Sequence, residues 1–452
     1  MSFDKVLIAN RGEIALRVIR ACRELGIQSV LVYSEADAHS LPVHLADEAI
    51  CIGPPSARES YLNIPAIISA ALISGAQAIH PGYGFLSENA DFSEVCREHG
   101  LVFIGPPPEV LAKFHDKSAT RALMRQYGLP VVPGSDGPVR TVSEALRIAE
   151  AIGYPVMLKA RAGGGGRGMR KAESAREIQR MWDQARGEAK ASFGDDGIYM
   201  ERNLEGVRHI EAQILADEHG NAICFGEREC SIQRRNQKMI EEAPSASIGL
   251  ELQHRIARMA ADAARRSGYR NVGTFEFLVD RDGSPYFIEV NARIQVEHTV
   301  TEMVTGVDLV KEQIALASGE PLSISEEQVW VKGHAIECRI NAEDPAANFA
   351  SSTGVLTTYM PPGGPGIRVD SHCFQGYEVP PYYDSLLAKV IAWGRDRPEA
   401  VARMQRALDE LTIVGVTTNI SAHKKILASE LFREGKVTTH LIDTVGVEAL
   451  VG

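Results

Sequence analysis

The chain opens on a short apolar run, KVLIAN, and then changes period. In GEIALRVIRACRELG the residues Ile14, Val18, Ala21, Cys22 and Leu25 recur three to four positions apart, and the segment closes on Gly26. The first pattern suits a buried strand; the second places its apolar residues on one face of a helix stopped by glycine. SVLVYS and AQAIHPGYG supply further strands, so the alternation predicts a parallel α/β unit over residues 1–113. The loop after the first strand, NRGE, lacks the G-x-G-x-x-G spacing that lets a pyrophosphate approach, which favours a scaffold role there.

A Pro/Gly-rich connector, LPVVPGSDGPV, leads into a helical stretch, SEALRIAEAIG, and a strand, YPVMLKA. These open a lid subdomain at about 133–203 within a second unit over 114–330, which continues through strands HIEAQILAD and AICFGERE, the helix LQHRIARMAADAARRSG and the hairpin GTFEFLVDRDGSPYFIEVN. A third unit over 331–446 opens with VKGHAIECRI and ends in helices that include PEAVARMQRALDEL. No internal repeat or low-complexity segment interrupts this order.

Two stretches carry candidate chemistry. The first is LKARAGGGGRGMR, whose run Gly163–Gly168 matches G-x-G-x-x-G. In a dinucleotide fingerprint the last glycine sits in the first turn of a helix, whereas here Ser174 is the expected N-cap, with Glu177 completing an S-x-x-E box six residues on. VMLKA and GMRKA both have strand character, so the glycines are expected at the tip of a hairpin that closes over an anion, with Lys159 supplying a point charge. No Gly-Lys-Ser/Thr follows, and no H-R-D or D-F-G occurs, which excludes Walker and protein-kinase ATP sites.

The second is TFEFLVDRDGSPYFIEVNAR. With Asp282-Gly283 as the centre of a type I′ turn, Arg281 faces Ser284 and Glu276 falls directly opposite Glu289. Period-two alternation adds Asn291 and Arg293 to the face of Glu289 and turns Ile288 and Val290 to the other side. Facing carboxylates repel unless a cation lies between them, and carboxylate and amide oxygens suit Mg²⁺ carrying nucleotide phosphates. Beyond lies RIQVEH, where Arg293, Gln295 and Glu297 are suited to a small planar anion such as bicarbonate, Arg293 as a fork and Glu297 as a proton acceptor. QRRNQK, with Gln233, Arg234, Arg235, Asn236 and Lys238, is a candidate substrate wall.

Composition narrows the partners. The 452 residues are 44% hydrophobic and 24% charged, ordinary for a globular chain, and the net charge of −11 argues against nucleic acid or an anionic membrane surface. Seven scattered cysteines without metal spacing, no export signal and no long apolar run predict a cytoplasmic protein.

With IANRGEIALRVIRAC, AIHPGYGFLSEN, GGGGRGM, QRRNQK, GTFEFL, RIQVEH, ECRINAEDP and VPPYYDS in this order, nearly the whole chain resembles the biotin carboxylases of the ATP-grasp superfamily. The resemblance implies a mixed α/β and α+β molecule: an N-terminal parallel α/β domain, an ATP-grasp core with a mobile glycine-rich lid, and a C-terminal β-rich domain. It implies that Lys117 and Lys159 contact phosphates, the glycines Gly164, Gly165 and Gly166 cover them, Glu201 with the backbone of Arg202 and Leu204 meets adenine, and His209, Gln233 and Asn236 lie along the ribose and phosphates. Glu276, Glu289 and Asn291 would be the ligands of Mg²⁺ or Mn²⁺. Lys238, Arg293, Gln295, Val296 through its backbone, and Glu297 match the bicarbonate site, with Glu297 as general base. Arg339 matches the arginine that steadies the biotin enolate, near Tyr83 and Glu88.

The implied reaction is ATP-dependent carboxylation of biotin on a carrier protein through carboxyphosphate, the first half-reaction of an acetyl-CoA carboxylase or related enzyme. No Met-Lys-Met attachment motif occurs, so biotin carboxyl carrier protein and carboxyltransferase are expected on separate chains, and a homodimer is expected. The sequence departs from the family pattern at Asn236, Arg161-Ala162, Ala292 and Pro365. The competing readings are an ATP-grasp ligase with another acceptor, against which RIQVEH and Arg339 argue, and a nucleotide-binding protein without turnover.

Overall fold

A computed structural model describes residues 3–160, 169–193, 196–446 and 449. The expected hairpin tip with Gly164, Gly165 and Gly166 lies outside the described residues.

The N-terminal unit is the parallel sheet that the alternation predicted. Its strands β1 (Lys5–Ile8), β2 (Gln28–Tyr33), β3 (Glu48–Cys51), β4 (Ala78–His80) and β5 (Val102–Phe103) lie in the order β3-β2-β1-β4-β5, every neighbour parallel. The edge strand β3 has no fully buried residue, so it lacked the apolar run that marks a central strand. Helix α1 (Gly12–Glu24) buries Ile14, Val18, Ala21 and Cys22 as expected. Leu25 does not join them: it is the C-cap and 44% exposed, because the helix ends one residue before it.

The lid subdomain is a three-stranded antiparallel sheet of β6 (Val156–Ala160), β7 (Met169–Ala172) and β8 (Ile198–Arg202), in the order β7-β6-β8. Val156, Leu158, Ile198 and Met200 pack with Ala145 and Ala149 of α2 (Val142–Ile152) and with Ile178 and Trp182 of α3 (Ala175–Phe193). Lys159 pairs with Met169, so the strands flanking the glycines do form a hairpin. Helix α3 starts after Ser174, but the expected reciprocal box is displaced: the Glu177 carboxylate accepts the Glu173 N–H at 2.8 Å rather than that of Ser174.

One eight-stranded antiparallel sheet runs through the rest of the chain. It consists of β9 (Arg208–Ala216), β10 (Ala222–Arg234), β11 (Gln237–Ala243), β12 (Asn271–Val279), β13 (Pro285–Asn291), β14 (His334–Asn341), β15 (Ile367–Ser371) and β16 (Leu386–Gly394), ordered β13-β12-β9-β10-β11-β14-β16-β15. Ladder bonds from Ile240 to Cys338 carry the sheet from the central unit into the C-terminal one. One face packs on α4 (Leu250–Ser267) and shares a core with Leu7, Val30 and Ile79 of the N-terminal sheet; at the other end Met404 and Leu408 of α5 (Arg397–Glu410) cover β14 and β16.

The β12–β13 hairpin corrects one expectation and keeps its consequence. The turn is not a two-residue type I′: Asp280 N–H bonds to Ser284 O and Gly283 N–H to Asp280 O, with Gly283 at φ +84°, a three-residue loop whose last position favours glycine. That shifts the register by one, Leu278 facing Tyr286, but a bulge between the Phe277–Phe287 and Glu276–Glu289 pairs shifts it back. Glu276 therefore does face Glu289. The bulge also reverses facing, so that Phe287 rather than Ile288 joins Val290 in the core.

QRRNQK is a tight hairpin as well. Arg234 pairs with Gln237, and Arg235 and Asn236 have φ of +50° and +63°. Asparagine tolerates that conformation, which accounts for Asn236 at the tip. No helix among the described residues is long and apolar enough to cross a membrane.

Candidate active site

The strands β13, β12, β9 and β10 each place one charged residue at the same level of the sheet. Glu289 faces Glu276, Glu276 faces Glu211, and Glu211 faces Arg228. Three carboxylates in a row would repel, and two cations compensate. Arg228, fully buried, pairs through Nε with Glu211 and donates to Gln213 Oε1 (2.6 Å), Thr301 Oγ1 (2.9 Å) and Thr274 Oγ1 (3.1 Å). Lys238, reaching in from β11, places Nζ 2.5 Å from Glu211, 2.9 Å from Glu276 and 2.6 Å from Glu297.

These contacts set the protonation states. Burial alone would neutralise Lys238, but the carboxylates of Glu211, Glu276 and Glu297 outweigh it and hold the ammonium well above the ordinary lysine value. Burial likewise favours the neutral form of Glu297, yet Lys238, Arg339 and Arg228 hold it well below the carboxylate range. Glu276 is held low against burial by Lys238 and His209. Glu211 goes the other way: burial exceeds the help of Arg228 and Lys238 and raises it.

Around Glu297, Arg339 of β14 gives its Nη2 to Glu297 (2.8 Å) and Glu241 (2.5 Å). Glu297 itself is the N-cap residue of the helix His298–Thr305. Arg293 donates to Glu88 Oε2 (2.8 Å), Gln295 Oε1 (2.9 Å) and Asn291 Oδ1 (3.1 Å), and Gln295 reaches Glu276 at 3.1 Å. Tyr83 donates to Glu13, and beside it opens a cavity of about 380 Å³ lined by Asn10, Arg11, Glu13, Tyr83, His372 and Tyr382. The Val296 carbonyl accepts from Lys389 at 2.8 Å.

Toward the lid, Lys159 and Arg121 both grip Glu201, the latter at 2.8 Å, and Lys117 pairs with Glu289 at 2.7 Å. His209 lies 2.6 Å from the Gln233 amide and 2.9 Å from Glu276. Leu204 is half-buried in the link between β8 and β9. The Arg202 N–H donates to Pro133 O at 2.8 Å, where the chain reaches back to bond the connector. Of the QRRNQK residues, Gln233 and Lys238 reach this site, at His209 and at the carboxylates. Asn236 is exposed at the hairpin tip, and Arg234 stacks 4.3 Å over Phe349 and donates to Asn348, facing the C-terminal unit. Glu211, Arg228, Glu241 and Lys389 were not anticipated; Glu211 and Lys389 are single charges in the apolar stretches IEAQILA and LLAKVIAWG, whereas Arg228 and Glu241 stand among other charges in GERE and IEEA.

The oxygen donors Glu276 and Glu289, opposed on neighbouring strands with Asn291 2.8 Å from Glu276, fit a hard divalent ion. Among the described residues, the clusters whose His, Cys or acid ligand atoms all lie within 4.8 Å of one another are His209–Glu211–Glu276 and Glu211–Cys230–Glu297. Glu276 thus belongs both to the expected set and to the first of these clusters.

Comparison with known proteins places this arrangement. Residues 2–111 match the model for the biotin carboxylase N-terminal domain, 116–325 the carbamoyl-phosphate synthase L chain ATP binding domain, and 337–444 the biotin carboxylase C-terminal domain. A biotin carboxylase of Nostoc sp. is 55% identical over 98% of this chain and 99% of its own length. The chain belongs to the biotin carboxylase family. Within that family, a biotin carboxylase of Bacillus subtilis is 52% identical over 98% of this chain and 99% of its own length. Among solved structures, the biotin carboxylase domain dimer of Hydrogenobacter thermophilus 2-oxoglutarate carboxylase, in complex with MgADP, ADP and bicarbonate, aligns with a TM-score of 0.95 at 49% identity, covering 100% of this chain and 99% of that one. The ATP-grasp architecture and the ligase class of enzyme follow from membership.

Proposed function

We propose that this biotin carboxylase family member uses ATP and bicarbonate to carboxylate biotin borne on a separate carrier protein, giving carboxybiotin, ADP and phosphate. The observation that carries this reading is the placement of Lys238 between Glu276 and Glu297, 2.9 and 2.6 Å away, which joins the metal-side carboxylate to the proposed base through one cation. The bound nucleotide and bicarbonate of the Hydrogenobacter relative support the choice of substrates.

Bicarbonate enters beside Arg293, Gln295, the Val296 N–H and Lys238, where a planar anion meets forked and single donors. The anion shares Lys238 with Glu297, loosening the grip that holds the carboxylate low and raising its affinity for the bicarbonate proton. The freed oxygen attacks the γ-phosphorus, the bond to ADP breaks, and carboxyphosphate forms. Its breakdown gives CO₂ and phosphate; the phosphate takes the N1′ proton of biotin, and the resulting enolate, facing Arg339, attacks CO₂. Lys117 and Lys159 orient phosphates, and Glu201, Leu204 and the backbone of Arg202 orient the base. Glu276, Glu289 and Asn291 would hold Mg²⁺ or Mn²⁺, which supplies charge neutralisation on the phosphates. Positioning and electrostatics do most of the work, as in other phosphoryl transfers.

The carrier and a carboxyltransferase are proposed as separate partners, and a second copy of this chain as the oligomeric partner, after the dimeric Hydrogenobacter domain. The test is ADP release with Mg²⁺ and bicarbonate, with and without free biotin, then with a biotinylated carrier. Biotin-stimulated, bicarbonate-dependent turnover is expected; turnover only with another nucleophile would make the chain a different ATP-grasp ligase.

A further inference from the structure

Lys389 lies at the centre of β16, fully buried, and no part of the proposed reaction uses it. Its Nζ has two close partners: the Val296 carbonyl at 2.8 Å and Glu13 Oε1 at 3.1 Å. Glu13 sits in the first turn of α1 and also accepts the Tyr83 hydroxyl. The chain of contacts Tyr83–Glu13–Lys389–Val296 thus crosses from the N-terminal unit through the C-terminal unit to the segment preceding Glu297.

The gripped carbonyl belongs to the peptide joining Val296 to Glu297. That peptide is where the chain turns from the RIQVEH loop into the helix His298–Thr305, for which Glu297 is the N-cap residue. Its orientation decides where the Glu297 carboxylate stands relative to Lys238 and Arg339, and it limits how the adjoining Val296 N–H can face an anion.

A buried ammonium is costly, and a buried ion pair contributes little net stability compared with an apolar pair of the same volume. A lysine kept here charged is therefore better accounted for by what it holds in place. Burial opposes its charge, but Glu13, Glu337 and Asp370 outweigh it and keep the ammonium above the ordinary lysine value. Lys389 also pairs across the sheet with Arg339 on one side and Asp370 on the other, so the strand that carries it is anchored in register on both edges.

We propose that Lys389 is a positioning residue: braced by Glu13, it clamps the Val296–Glu297 peptide and so sets the geometry of the bicarbonate site, while Glu13 ties that clamp to Tyr83. This rests on the function proposed above.

The test uses the full chain with Lys389→Met and Glu13→Gln, each checked for folding by its melting curve, and separate KM values for ATP and bicarbonate from ADP release. Misplacing reacting groups by about 1 Å costs on the order of 100-fold, so Lys389→Met is expected to lower kcat about 10- to 100-fold and raise the bicarbonate KM. The KM for ATP should stay within about two-fold, the separation that distinguishes lost positioning from general loosening. Glu13→Gln, which keeps the lysine, should shift the same constants less. Should Lys389→Met not fold, Glu13→Gln decides on the same criterion. Folded variants with unchanged kcat and bicarbonate KM, or with both KM values rising together, would overturn the clamp. Absence of bicarbonate-dependent ADP release in the unmodified chain would instead overturn the proposed function.

Discussion

The lid sheet and the central sheet both pair acids with bases, but they put the pairs in opposite places. In the lid the interior is apolar, and apart from the pairs that Glu201 makes toward the site the ion pairs sit at the rim: Arg170–Glu188 with side chains 29% and 55% exposed, Lys171–Glu205 with 38% and 50%. In the central sheet Arg228 and Glu211 are both at 0%, and Lys238 meets three carboxylates. Solvated pairs of long side chains contribute little and rearrange readily; buried ones impose a single geometry because every lost partner leaves an uncompensated charge. The lid therefore keeps its shape by packing and can adjust its charges, whereas the central sheet uses charge to fix where each carboxylate stands.

The largest effect expected from breaking this contrast is at Glu297. Glu297→Gln keeps the size of the side chain but removes the proposed proton acceptor, and the proposed biotin carboxylation should fall at least about 100-fold with little change in the KM for ATP. Initial rates with saturating biotin check this, and full activity in that variant would exclude Glu297 as the base.

Next comes Arg228→Met, which leaves Glu211 and Gln213 without their buried partner. Loss of about 3–5 kcal/mol is expected in denaturant unfolding, and Glu211→Leu added to it should recover part of the loss. An Arg228→Met protein as stable as the unmodified chain would mean that the row of carboxylates needs no such compensation.

A pH test sharpens the comparison at the back of Arg339. His423 Nε2 lies 2.7 Å from the Arg339 carbonyl, and burial lowers its pKa from 6.5 to about 4. Because the folded value lies below the unfolded one, the neutral ring stabilises the fold above about pH 6.5, and this contribution is lost as pH falls from there through about 4. Full loss is worth about 3 kcal/mol. Melting curves between those limits should fall less steeply for His423→Asn than for the unmodified chain. Equal slopes would show that another buried group governs the acid limb.

The smallest effect is expected at the lid rim. Lys171→Ala should leave the melting temperature unchanged, with or without added salt. A clear salt-sensitive fall would show that the lid, too, depends on its ion pairs.

The hairpin shows how far sequence reasoning reached and why it stopped. The opposition of Glu276 and Glu289 was legible from alternation, although the turn assumed for it was wrong; a three-residue loop and a bulge displace the register in opposite senses. A bulge leaves no reliable trace in a period-two pattern, so only their net result could be anticipated. Glu211, Arg228, Glu241 and Lys389 were missed because a charged residue in a strand is ordinarily read as facing water. What turns these four inward is the packing of strands on both sides, which no local window contains. Leu25 failed for a simpler reason, since helical spacing does not say at which residue the helix ends.

By itself the sequence determined the main strands and helices of each unit, the parallel character of the first unit, the family and the candidate residues around RIQVEH, because these depend on local periodicity and contiguous motifs. The tertiary structure alone decided that one antiparallel sheet joins the central and C-terminal units, that a row of charges crosses four of its strands, and that a lysine from β16 grips the peptide before Glu297. Those features come from residues far apart in the chain, whose pairing is set by register and burial rather than by any short stretch.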